Sequence, residues 1–79
     1  METEVIPGRH YRHYKGDEYE LVGVAHHSET LEEMIVYRGF YDSPEFGPNP
    51  IWARPRAIFV DSVELEGKRV PRFQLLDEE

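Results

Sequence analysis

Residues 19–41 read YELVGVAHHSETLEEMIVYRGFY, two β-rich runs either side of a polar turn. The first run, Tyr19 to His27, holds Leu21, Val22 and Val24, with Gly23 and Ala25 as small members. The second, Met34-Ile35-Val36-Tyr37, continues toward Phe40-Tyr41. β-Branched and aromatic residues favour a pleated, half-buried surface, so both runs read as strands. With the turn at Ser28 to Leu31, an antiparallel register sets Val22 and Val24 near Tyr37 and Ile35 on one face. Leu21, Ala25, Met34, Val36 and Phe40 then share the other. Two apolar faces suit central strands covered on both sides or curled into a barrel. A helix from Thr30 is the competing reading, because Thr30 and Glu33 stand at capping-box spacing; it would give an α+β roll with a helix near residues 30–38. Ile35-Val36-Tyr37 followed by Gly39 favours the ribbon.

Working outward, Arg9 to Tyr14 is a short strand entering a hairpin at Lys15-Gly16-Asp17. Residues 42–50 carry three of the six prolines and form a loop. Ile51-Trp52-Ala53-Arg54 is a brief strand. Pro55 suits the first position of a helical turn, which places Arg56 to Val60 in one or two turns with Ile58 and Phe59 buried. Ser62 to Leu65 alternates as a strand, Glu66-Gly67-Lys68 turns the chain, and Val70 to Leu75 returns as the last strand, with Pro71 marking an edge. Residues 1–8, ending in Pro7-Gly8, read as a flexible lead-in, residues 9–76 as one domain and residues 77–79 as an acidic tail. The expectation is a mainly β domain: a small, partly open antiparallel barrel, SH3-like, with one short helical turn.

The chain has 79 residues, and a chain of this size buries only about 60% of its unfolded surface, enough for one core. The absence of cysteine excludes disulfides, thiolate-bound zinc and thiol catalysis. A hydrophobic content of 39% with 13% aromatic residues supports a packed domain despite a mean hydropathy of -0.65. The sequence has neither a leader pattern nor an apolar run of spanning length, so a soluble, cytoplasmic protein is expected.

Sixteen acids outnumber nine bases, for a net charge of -7. Eight of the bases nevertheless fall in three stretches: Arg9, Arg12 and Lys15; Arg54 and Arg56; Lys68, Arg69 and Arg72. Arg38 stands alone. An acidic shell repels phosphate, whereas basic segments gathered by folding create a local positive site. Tyr11, His13, Tyr37, Arg38, Trp52, Arg54, Arg72 and Phe73 alternate ring and base on separate strands. Arg38, Arg54 and Arg72 are the candidate anion holders, and Tyr11, Tyr37 and Trp52 the candidate stacking surface, with His13 beside them. The turn at Pro55 adds backbone N–H groups near Arg54. The expected ligand is a nucleotide, single-stranded nucleic acid or an acidic partner, with no cofactor, no membrane and an undefined oligomeric state. The competing reading puts Trp52 and Phe73 in the core and sets Arg38 and Arg72 over rings or against Glu29 and Glu32.

The remaining chemistry is weaker. His10 and His13, like His26 and His27, point to opposite faces of a strand, so at most one of each pair converges on a centre. His13, His27 and Glu29 lack a helical His-Glu-x-x-His frame, and no metal site is expected. Ser28 is more suited to bonding turn backbone than to attack with its neighbour His27 as base. The alternative function is a small hydrolase in which His13 or His27 is the general base and the arginines clamp a phosphorylated substrate.

Five phrases together carry a resemblance: residues 11–16 (YRHYKG), 27–32 (HSETLE), 36–38 (VYR), 52–55 (WARP) and 70–73 (VPRF). In this order they resemble the Domain of Unknown Function 1653 family of small bacterial proteins, over about residues 8–75. The proline-rich segment between Tyr41 and Trp52 is longer than the family's usual connection. The resemblance implies no activity and no catalytic residues, since the family name assigns none.

Overall fold

A computed structural model of the chain describes residues 3–76. The acidic tail expected at 77–79 lies outside them, as do residues 1 and 2.

The 19–41 ribbon forms. Strand β1 spans His10–His13, β2 Glu18–His26 and β3 Glu33–Gly39, with β2 and β3 antiparallel. Thr30 does not cap a helix; its Oγ1 accepts the Glu32 N–H at 3.2 Å in a local turn, and residues 33–39 are extended. One detail of the register differs from expectation. Val24 does lie opposite Ile35, but a β-bulge after Leu21 makes Leu21, rather than Val22, the partner of Tyr37. The extra residue turns Leu21 inward, where it is fully buried, and leaves Val22 46% exposed. Phe40 is likewise 46% exposed, so one sheet face packs a core and the other is open, rather than both being covered.

Next come β4 (Asp42–Ser43) and β5 (Gly47–Pro48), a small ladder where a plain loop was expected. Ser43 Oγ closes it by accepting the Glu45 and Phe46 N–H groups. β6 (Ile51–Pro55) leads into α1 (Arg56–Phe59), a single turn entered through Pro55. Phe59 is buried, but Ile58 is 43% exposed, because one turn presents one residue to the core. β7 (Ser62–Leu65) pairs with β8 (Lys68–Pro71), and β9 is Phe73–Leu75. The single last strand read from sequence is therefore two. Arg72 is the break: its N–H donates to the Asp61 carbonyl at 3.0 Å, and its own carbonyl accepts the Tyr14 N–H at 2.9 Å. β8 thereby belongs to the outer hairpin and β9 to the main sheet.

The main sheet runs β6-β3-β2-β1-β9, antiparallel throughout, with no ladder joining its two edges. Laid flat, four strand spacings would part β6 from β9 by about 19 Å. Instead the Arg54 guanidinium lies 5.5 Å from the Phe73 ring centroid. The sheet is thus curled into a partly open barrel. The core it encloses is aromatic: Tyr11, Tyr19, Tyr37 and Phe73 of the sheet and Phe59 of α1 join Leu21, Ile35 and Val60. Phe59 stacks on Phe73 at 4.2 Å, and Tyr37 meets Phe73 edge-on at 5.3 Å. Ring pairs of this kind add about 0.5–1.5 kcal/mol to simple burial.

Residues 3–8 hydrogen-bond to the domain. Thr3 Oγ1 donates to the Phe73 carbonyl at 2.8 Å, and the Gly8 N–H donates to the Leu21 carbonyl. The Tyr11 hydroxyl donates to the Glu4 carbonyl and accepts the Ile6 N–H. A buried phenol needs such partners, and the lead-in supplies them.

The β7–β8 hairpin turns on Glu66 and Gly67 at φ +51° and +80°, the signature of a two-residue type I′ turn. Glutamate pays a steric penalty at positive φ that asparagine largely avoids. Glu66→Asn is expected to raise stability by about 0.5 kcal/mol, seen as a melting temperature higher by roughly 2–4 °C. An unchanged or lower melting temperature would contradict the turn assignment.

Candidate functional site

His13 ends β1 on the inner face, and its strand partner is Phe73 of β9. Arg54 lies across the opening on β6, opposite Ile35 of β3 and so on the same inner face. Both polar side chains come to rest on one ring: the His13 ring meets Phe73 edge-on at 4.9 Å, and Arg54 lies over it. Phe73 is fully buried and backed by Phe59, which makes it a rigid floor. The Tyr37 phenol feels the same cation: burial raises it above its ordinary value, and the charge of Arg54 works against that rise. Among the described residues no carboxylate pairs with Arg54.

Arg72 stands at the same opening but is already occupied. Its Nε and NH2 bind the two oxygens of Asp61 at 2.7 and 3.2 Å. That fork holds the Asp61 carboxyl below the usual carboxylate range and raises the Arg72 guanidinium in turn. Lys15, in the turn after His13, forms no ion pair among the described residues and lies 5.9 Å from the Tyr14 ring centroid.

The His13 imidazole registers this surrounding. Partial burial lowers its proton affinity first, and Arg54, Arg72 and Lys15 lower it further, with Asp17 opposing them. Its Nδ1 accepts the Lys15 backbone N–H at 3.2 Å, so the neutral ring carries its proton on Nε2. The ring stacks at 4.7 Å on Tyr14, and with Arg12 and Tyr14 it forms one wall of a cleft of about 240 Å³. Leu65, Val70, Pro71 and Gln74 form the other.

The remaining sequence candidates are placed elsewhere. Arg38 follows the inward-facing Tyr37, so it projects from the opposite face of the sheet, where it pairs with Glu20 at 3.2 Å. The three arginines expected to hold one anion are therefore divided: Arg54 and Arg72 on the inner side, Arg38 outside. Tyr11 and Tyr37 are core residues, 1% and 4% exposed, with no free face for a base to stack on. Burial also raises both phenols above their ordinary value. Trp52 is half-buried; its Nε1 donates to the Tyr41 hydroxyl at 2.9 Å and Phe46 packs edge-on against it at 5.4 Å. That leaves His13, Arg54 and Arg72 as the candidates brought together.

His27 sits beyond the far end of β2, about 30 Å from His13 at the strand's rise per residue. Its Nδ1 accepts the Glu29 and Thr30 N–H groups in an exposed turn, and the Ser28 hydroxyl turns to Glu29 instead. Among the described residues no three His, Cys, Asp or Glu side chains converge as a metal site, and no helix is long and apolar enough to cross a membrane. Lys15 and Asp61 were not singled out from the sequence as site residues. Lys15 had a signal in its place two residues after His13; Asp61 had none, because its pairing with Arg72 depends on how the hairpin returns to the sheet.

Comparison with known proteins places this fold. No curated protein matches the chain. The crystal structure of a Bordetella bronchiseptica protein of the DUF1653 family is similar, with a TM-score of 0.74 and 31% sequence identity over 94% of this chain and 95% of that one. Residues 9–75, which include every strand of the curled sheet, match the family described as Protein of unknown function (DUF1653), and the chain belongs to that family.

Proposed function

We propose that the domain is a non-enzymatic recognition module, working in the bacterial cytoplasm, that binds an anionic ligand at the opening between Arg54, His13 and Lys15. The observation that carries this reading is Arg54 itself. It is a half-buried guanidinium lying over the Phe73 ring, with no carboxylate paired to it among the described residues. A desolvated cation is costly unless an anion meets it, and a guanidinium offers a planar fork to carboxylate or phosphate. Arg72, held by Asp61, adds positive potential without having to release its partner.

The hydrolase alternative is less well supported. A general base needs a free lone pair, and in His13 the unprotonated nitrogen, Nδ1, already accepts the Lys15 N–H; in His27 it accepts two turn N–H groups.

Titration of the labelled domain with inorganic phosphate, a mononucleotide and a short oligonucleotide tests the reading by amide and arginine side-chain shifts. Shifts centred on His13, Lys15 and Arg54 are expected. Arg54→Gln should weaken binding roughly 10- to 100-fold, the equivalent of one charge-assisted hydrogen bond of about 1.5–3 kcal/mol, while leaving the circular dichroism spectrum unchanged. Shifts that stay flat, or that centre on Arg38 on the opposite face, would overturn it.

A further inference from the structure

The charges around Phe73 narrow the class of anion. Arg72 already has a partner in Asp61, which accepts two bonds from it, whereas Arg54 on β6 and Lys15 in the β1–β2 turn both lack an ion pair among the described residues. Two positive charges without an ion pair of their own among the described residues therefore act on His13, with Asp17 of the same turn opposing them at its ring. A carboxylate would answer one of those charges and leave the other unmatched. A phosphate monoester carries about -1.5 to -2 charge at neutral pH and three acceptor oxygens. It can meet both cations and still offer an oxygen to the Nε2–H of His13.

We propose that the ligand recognised here is a phosphate monoester dianion, seated against Arg54 and Lys15 with the imidazole of His13 as its third contact. The proposal rests on Arg54 being the anchor of an anion site, as argued above. It carries a consequence for the histidine. In the ligand-free domain the ring is kept neutral by partial burial and by Arg54, Arg72 and Lys15, and its Nδ1 lone pair is engaged by the Lys15 N–H. A dianion placed among those cations reverses the sign of the local field. His13 then takes one proton from solvent onto Nδ1, giving up the bond from the Lys15 N–H, so binding and proton uptake are linked.

Phenyl phosphate and acetate are the probes, at pH 7.5, with amide, arginine and histidine side-chain resonances followed together. Phenyl phosphate is expected to bind at least about tenfold more tightly than acetate and to move the His13 titration midpoint upward. Lys15→Gln should weaken phenyl phosphate about tenfold and acetate less than about threefold; Lys15 lies in an exposed turn, so the variant remains folded. Equal affinities for the two probes, with shifts centred on Arg54, would overturn the phosphate assignment and leave an anion site standing. A His13 midpoint unmoved by bound phenyl phosphate would remove the histidine from the seat. No perturbation at Arg54 by either probe would remove the anion site as well.

Discussion

Phe59→Ala is expected to remove about 3–5 kcal/mol of the domain's stability. Phe59 is fully buried on the one-turn helix, stacked at 4.2 Å on Phe73 and in contact with the rings of Tyr11 and Tyr37. Truncating a buried phenylalanine costs about 3–5 kcal/mol, the transfer energy plus the cavity left behind. A domain of this length has a total stability of roughly 4–12 kcal/mol. One truncation therefore removes a large part of it. The cavity would also lie directly behind Phe73, so the floor under Arg54 and His13 loosens with the core. The neighbouring Ile58→Ala, at a position 43% exposed, should cost no more than about 0.5 kcal/mol. Urea denaturation of the two variants checks both numbers, and a similar midpoint for the pair would contradict the placement of α1.

Gly39→Ala is expected to lower stability by about 1–3 kcal/mol and the melting temperature by roughly 5–20 °C. The cause is space rather than backbone conformation. A Cβ at residue 39 would stand 2.5 Å from Cε2 and 2.9 Å from Cζ of Tyr41. The ring cannot retreat cheaply: its hydroxyl accepts the Trp52 Nε1–H, approaches the Tyr19 hydroxyl at 3.5 Å, and its edge packs on Tyr19 at 5.8 Å. A double-mutant cycle isolates this. In a Tyr41→Ala background the same Gly39→Ala change should cost well under 1 kcal/mol, because the clashing ring is gone. An undiminished cost there would point to backbone strain in β3 instead.

Much of the architecture was legible because strand signals are local. Ile35-Val36-Tyr37 declares its pleat whatever surrounds it, and Lys15-Gly16 and Glu66-Gly67 declare turns through the backbone freedom of glycine. The bulge at Val22 was not legible. Nothing in YELVG marks which residue is the extra one, and the choice follows from Leu21 being the side chain that fits the core. The division of Val70 to Leu75 was hidden for a similar reason. Arg72 breaks the strand by bonding Asp61 and Tyr14, eleven and 58 residues away, and local propensity holds no trace of either partner.

The site shows the same limit. That arginines alternate with rings is written in the composition of the strands, and so is the fact that Tyr37 and Arg38 must face opposite ways. Which guanidinium stays unpaired is a matter of distance between remote residues. Glu20 reaches Arg38 across β2 and β3, Asp61 reaches Arg72 at the hairpin corner, and among the described residues no acid forms an ion pair with Arg54 once the sheet has curled it over Phe73. Pleat, turn and residue type are short-range properties and can be read along the chain. Curl, bulge and charge pairing arise from packing and from long-range Coulomb contacts, which exist only after the strands have met.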